Sequence, residues 1–304
     1  MNPSEYYAQQ SPITDPGKHT HLFDELPRDI AGLCRVVQGL IIHYMDGEKL
    51  FDYVIPKERL PEVDTCYVEK MLARILELDH RPLTEARPPE RRLVGCCRDF
   101  ATLFCSMARH HGIPTRNRAG FGAYFRADFN VDHEIVEYWD VQENLWRLVD
   151  PELSDIHIKA YDVSFDPCDV PREQFIIAGL AWQMCRAGKA DPDKFGLDPE
   201  TEVKGWWFIR DRLIHDLLAL NKIEVLLWHS WGLMEYEATL NDQDLALLDR
   251  IALLTQEGNE AFEEIQATYR SDARLKPPRV VMSHSPAGWH EETLSIKLVT
   301  SSLT

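Results

Sequence analysis

Cys97, His133 and Asp150 are the residues of this chain whose types and surroundings could do covalent chemistry. Cys97 stands in Gly95-Cys96-Cys97-Arg98-Asp99-Phe100-Ala101, just ahead of a helical pattern over 100–111. A thiol at a helix start meets the positive end of the helix dipole and unpaired N–H groups, and both favour the nucleophilic thiolate. Downstream, the alternating run 132–140 and the run 145–151 flank Val141-Gln142-Glu143-Asn144 and read as a β-hairpin. A fold between Val141 and Gln142 sets His133 opposite Asp150, Ile135 opposite Leu148 and Glu137 opposite Trp146. Opposed side chains have Cβ atoms about 4.5–5.5 Å apart, so Asp150 could accept a hydrogen bond from one imidazole nitrogen while the other faces the thiol. Nucleophile, base and orienting carboxylate together are the requirements of acyl transfer.

Periodicity predicts the elements that hold these residues. Residues 29–45 place Ile30, Leu33, Val37, Leu40 and Ile41 at helical spacing, and 63–78 do so with Val68, Met71, Leu72, Ile75 and Leu76. The proline-rich stretch 81–92 breaks helix and runs extended into the cysteine turn. Gly112 and Pro114 stop the helix that follows Cys97, with His110 and His111 in its last turn. Residues 118–125 read as a strand in which Gly120 and Gly122 mark close approach or a bulge. Helix followed by antiparallel strands is an α+β arrangement. Beyond about residue 169 the patterns are helical, at 172–186, 206–220, 223–237 and 242–269, with Asn241 as the cap of the last. The expected organisation is a lead-in at 1–25, a catalytic core at 26–168, a helical C-terminal layer or subdomain at 169–274 and an irregular tail at 275–304.

The chain of 304 residues is long enough for one large domain or two moderate ones. A net charge of −17 argues against nucleic acid or an anionic membrane as partner. No apolar run reaches the roughly 20 residues of a membrane span, and residues 1–19 lack the apolar stretch of a signal peptide. Seven cysteines without an export signal point to a reducing, cytoplasmic setting. Cys34, Cys66 and Cys185 fall in helical apolar patterns as small hydrophobes, and Cys105 is expected to pack beneath the turn of Cys97. A zinc site from Cys96, Cys97, Cys105 and His110 or His111 is set aside, because adjacent cysteines chelate poorly and the chain has no CxxC pair. Asp128-x-Asn130-x-Asp132 opens like a calcium loop but has His133 where Gly is needed and Trp139 where Glu is needed. No metal and no cofactor is expected. Asp99 is expected to cap the helix, Arg98 to hold the thiolate or be solvated, and Glu137 to border the cleft. Trp206, Trp207, Trp228 and Trp231 are expected as core or as a wall of the cavity.

Taken with Gly112-Ile113-Pro114-Thr115-Arg116, Asp132-His133 and Asp150-Pro151, the Cys97 segment resembles the transglutaminase-like superfamily over about residues 90–155. The whole chain is similar to a group of bacterial transglutaminase-like proteins of poorly defined function, through Phe165-Asp166-Pro167-Cys168-Asp169-Val170-Pro171-Arg172 and Asn221-Lys222-Ile223-Glu224. The resemblance implies a papain/transglutaminase-like core, its cysteine helix packed on an antiparallel sheet, with additional C-terminal helices. It implies Cys97 as nucleophile, His133 as base and Asp150 as the matching carboxylate. The expected chemistry is thioester formation on a peptide or amide-containing small molecule, ending in hydrolysis. Transfer to an amine, or a non-catalytic binding role on the same fold, are the alternatives. Hydrolysis is favoured because water is always present and no amine site is evident. The sequence departs from the family at Ile135, where an aromatic is frequent, and offers no upstream residue assignable as second oxyanion donor. Accessory β-domains are lacking, so calcium-dependent cross-linking does not follow. Cys96, about 100° around the helix from Cys97, is expected to face packed core. Oligomeric state is not legible.

Overall fold

Short elements precede the cysteine helix in the computed structural model, which describes residues 2–295. Helix α1 (Pro3–Tyr7) starts in an Asn2–Glu5 capping box and buries Tyr7. Helix α2 (Ile30–Leu40) starts at Asp29, whose carboxylate accepts the Gly32 N–H. The helix predicted over 29–45 ends at Leu40, because the β-branched pair Ile41–Ile42 enters strand β1 (Ile41–His43). Helix α3 (Gly47–Phe51) follows, then α4 (Val68–Leu78), which buries Val68, Met71, Leu72 and Ile75. A 3-10 turn over Lys57–Asp64, with Pro61 inside it, delays α4 relative to the predicted start and leaves Cys66 buried ahead of it. Strand β2 (Leu93–Gly95) pairs in parallel with β1, His43 beside Gly95, and delivers the chain into α5 (Cys97–His110).

The sheet is built from β3 (Thr115–Gly122), β4 (Asn130–Asp140) and β5 (Leu145–Val149), all antiparallel. In the hairpin Val136 faces Val149, Glu137 faces Leu148 and Trp139 faces Trp146. The predicted register is therefore off by two residues. The cause is the turn: Asp140 Oδ1 accepts the N–H groups of Gln142 and Glu143, and Asn144 takes a left-handed φ of 55°. The loop closes on the pair Asp140–Leu145, so the chain folds between Gln142 and Glu143. A slip of two preserves the face of every side chain, whereas a slip of one would reverse it.

Helix α6 (Asp155–Ala160) follows the hairpin. The helix predicted over 172–186 divides into β6 (Phe175–Ile177), which extends the sheet beside β3, and α7 (Ala178–Arg186). Strand β7 (Phe195–Gly196) pairs in parallel with the start of β4, and α8 (Trp206–Leu220) comes next. No α-helix forms over 223–237: Lys222 turns the chain at a φ of 60°, Ile223 and Val225 lead into β8 (His229–Ser230), and a single 3-10 turn follows at Gly232–Met234. The pattern at 242–269 is broken by Gly258, also at a φ of 60°, into α9 (Asp242–Glu257) and α10 (Phe262–Ser271). In the expected irregular tail, β9 (Val280–Ser283) and β10 (His290–Thr293) form a hairpin joined by β8; residues 296–304 lie outside the described residues.

The architecture is α+β, as expected, with helices on both faces of the sheet. Alternation along β3 explains this. Asn117 donates to Thr102 of α5, while Arg118 on the other face pairs with Asp216 of α8. One apolar cluster joins α2, α4 and α5 to Val136 and Val149; another gathers α7, α8, α9 and α10. Among the described residues no helix is long and apolar enough to cross a membrane.

Candidate active site

A cavity of about 840 Å³ opens beside the start of α5, lined by Cys96, Cys97, His133, Glu152 and the rings of Tyr44, Phe125, Trp207 and Trp228. Cys97 is the first residue of α5, and Cys96 is its cap. Asp99 caps as predicted, its Oδ2 accepting the Cys96 N–H at 2.9 Å. A Cβ on Gly95 would lie 2.7 Å from that same oxygen, so glycine is what lets the turn close. Arg98 neither holds the thiolate nor is solvated. It is fully buried and donates to the carbonyls of Cys66 and Glu224 and to Asp99.

His133 Nε2 lies 2.8 Å from Asp150 Oδ2. In the observed register Asp150, one step past β5, falls beside Ile135, so the contact is diagonal and not directly opposed. Tyr124 donates its hydroxyl to the same carboxylate oxygen at 2.6 Å, and the Glu152 N–H donates to the other at 3.0 Å. Burial alone would raise the Asp150 pKa, but His133, Tyr124 and that N–H outweigh it and hold the carboxyl below its ordinary range. Phe125 sets its ring edge-on to His133 at 4.8 Å. With Nε2 engaged, Nδ1 is the nitrogen left for a proton from elsewhere in the cavity.

The helix start does not yield a ready thiolate. The Cys97 pKa stands well above the ordinary thiol value, first because the Cys96 sulfur accepts a hydrogen bond from the thiol, then through burial and the negative charges of Glu152 and Asp132. These effects exceed what half a positive charge at a helix end can offer. Cys96 itself, expected in the core, lines the cavity beside Cys97. Glu137 does not border the cleft: it is buried against Arg116 at 2.8 Å, Arg118 at 2.7 Å and Arg172 at 3.0 Å. His110 sits at the far end of α5, about 20 Å from Cys97 at 1.5 Å per residue, and contacts Asp24; these residues assemble no zinc site. Trp207 and Trp228 form cavity wall, Trp231 is buried, and Trp206 packs on Trp182.

Tyr124, Glu152, His43 and Asp46 were not singled out by sequence. Glu152 is two residues past Asp150, a spacing that does place it toward the same side. Burial pushes His43 down to about 4, so its imidazole is neutral. His43, Asp46 and Glu152 offer ligand atoms that all lie within 4.8 Å of one another, a group of metal-binding types that the sequence did not reveal.

No curated protein matches the chain, and no solved structure does. Residues 77–151 match the family model of the transglutaminase-like superfamily, a stretch that contains α5, β3, β4, β5 and all three of Cys97, His133 and Asp150. The cysteine helix, the antiparallel sheet beside it and this match together make residues 77–151 a core of the transglutaminase-like superfamily.

Proposed function

We propose that the protein is a cysteine-dependent acyl-transfer enzyme in which Cys97 attacks an amide or peptide carbonyl, His133 is the base and Asp150 orients it. The observation that carries this reading is the buried, ionised Asp150 bound to His133 on the cavity that Cys97 shares. Because the free thiol is neutral, His133 Nδ1 takes its proton as sulfur bonds to the carbonyl carbon, and Asp150 stabilises the imidazolium. The Cys97 N–H has no acceptor within its own helix and is free to donate to the oxyanion. Tyr44, packed against Cys96 and Cys97, supplies the second donor from its hydroxyl. Collapse returns the proton to the leaving amine and gives a thioester. Water, deprotonated by His133, then releases the acid and restores the thiol.

Hydrolysis is the favoured outcome; an amine in place of water would use every step up to the thioester. The aromatic walls favour small molecules or chain ends over internal segments of folded proteins. The test is intact-mass detection of an acyl adduct with a series of activated esters and anilides. An adduct on Cys97, absent in Cys97→Ala and formed about 10²–10⁴-fold more slowly in His133→Ala, is expected. No adduct, with Cys97→Ala retaining its full biological effect, would favour the binding role instead.

A further inference from the structure

Glu152 is 4% exposed, yet its carboxylate accepts no hydrogen bond from any described residue, and its Oε2 is sealed from solvent. No Lys or Arg forms an ion pair with it among the described residues. Burial, with the neighbouring carboxyl groups of Asp46, Asp150 and Asp99, raises its pKa well above the ordinary range. A buried carboxyl with no hydrogen-bond partner lacks the ligand such a group requires, and no described residue supplies one.

The groups around it are of the ligating kind. His43 ends β1, Asp46 three residues on precedes α3, and Glu152 follows the Asp150 turn, so two segments distant in sequence converge on one wall of the cavity. Their ligand atoms lie within 4.8 Å of one another. Opposed ligands on a small divalent ion stand about 4.0–4.4 Å apart, so shifts of a few tenths of an ångström would close the three on one ion. His43 Nδ1 accepts the Met45 N–H at 3.2 Å. Ligation through Nε2 moves the proton to Nδ1 and releases that N–H to water, at a turn where Met45 is half exposed. Asp46 is steered by two long contacts from α6 and the residue after it, His157 Nε2 at 3.4 Å and the Tyr161 hydroxyl at 3.4 Å. Such outer partners orient ligating carboxylates in metal sites.

We propose that His43, Asp46 and Glu152 bind a divalent first-row transition-metal ion, such as Zn²⁺, Mn²⁺ or Co²⁺, on the cavity that contains Cys97. One imidazole nitrogen and two carboxylate oxygens suit that class, whereas calcium takes an all-oxygen set of six or more. The remaining positions face the cavity, where water or an oxygen of a substrate would complete the shell.

The test is titration of EDTA-dialysed full-length protein with Co²⁺, followed by visible absorption, and with Zn²⁺, followed by calorimetry. One ion per chain is expected, with affinity weakened at least ~10-fold in Glu152→Gln and in Asp46→Asn and unchanged in Cys97→Ala. The melting temperature of wild type should rise with Zn²⁺, a readout that needs no variant to fold. Absence of binding by wild type overturns the proposal. So does an ion retained by Glu152→Gln and lost in Cys97→Ala, since the thiols would then be its ligands. Binding is read without turnover, so failure here leaves the acyl-transfer reading standing, and the reverse also holds.

Discussion

Cys96→Ala should make Cys97 more reactive at neutral pH, although it removes a thiol and adds no base. The Cys96 sulfur accepts from the Cys97 thiol and so stabilises the protonated form. A neutral hydrogen bond contributes about 0.5–1.5 kcal/mol net, equivalent to a pKa fall of about 0.4–1.1 on its removal at 1.36 kcal/mol per unit. The thiolate fraction below the pKa then rises about 3–10-fold. Nucleophilicity falls with basicity at a Brønsted slope of about 0.4–0.5, which reduces the gain in alkylation rate to about two- to fourfold at pH 7. Above the pKa the sign reverses, and the variant should label about two- to threefold more slowly than wild type. The two profiles therefore cross. Iodoacetamide labelling upward from pH 6, resolved by peptide mass spectrometry because the chain has seven cysteines, follows the ratio of the two rates. Cys96→Ser keeps an acceptor at the same place and should follow wild type. Superimposed Cys96→Ala and wild-type profiles, or a variant slower at every pH, would refute the reasoning.

Three further outcomes follow from the same geometry. Asp150→Asn keeps the shape of the carboxylate but cannot stabilise an imidazolium at 2.8 Å; the acylation rate should fall about 10²–10⁴-fold, and a loss under tenfold would exclude Asp150 from the mechanism. Glu137→Gln leaves the buried Arg116 and Arg118 short of one negative charge, and urea unfolding should show a loss of about 3–5 kcal/mol, since neither arginine can reach water. In wild type, burial would raise the Glu137 carboxyl but Arg118, Arg116 and Arg172 hold it far below the ordinary range. Its contribution is thus complete above a carboxyl's usual pKa of about 4.3 and is lost as pH falls toward the folded-state value. Acid unfolding profiles should accordingly be steeper for wild type than for Glu137→Gln.

What the sequence disclosed was local or parity-based. The Asp99 cap, the Gly112 stop and the cysteine at a helix start each depend on residues within a few positions of one another. The meeting of His133 with Asp150 survived a register error because a two-residue slip keeps both on one face. Partnerships set by distant chain crossings were not legible. The parallel pairing of β1 with β2 brings His43 beside Gly95 across some fifty residues of intervening chain, and no periodicity announces it. Tyr124 reaches Asp150 from a loop whose sequence carries no hydrogen-bonding signal. The predicted helix at 223–237 failed because apolar spacing cannot distinguish a helix from extended chain threaded between helices. Nor does a motif convey how deeply its own cysteine is buried, which is why the Cys97 pKa is raised where the helix start alone argues for thiolate.

The bidentate contact of Arg118 with Asp216 has a consequence for biosynthesis. These partners are 98 residues apart, and the Asp216 carboxylate also accepts the Ala119 N–H in the middle of the sheet. At a translation rate of about 5–20 residues per second, Arg118, paired earlier with Glu137, waits about 5–20 s for its second counter-ion to be synthesised. During that interval the nascent sheet holds a cationic, unsealed surface while the cysteine segment is already outside the ribosome. The order of emergence thus keeps the cavity unfinished until the downstream helix, which supplies part of its wall, arrives, and a ribosome stalled between codons 150 and 206 would hold a chain that contains Cys97, His133 and Asp150 without the assembled cavity.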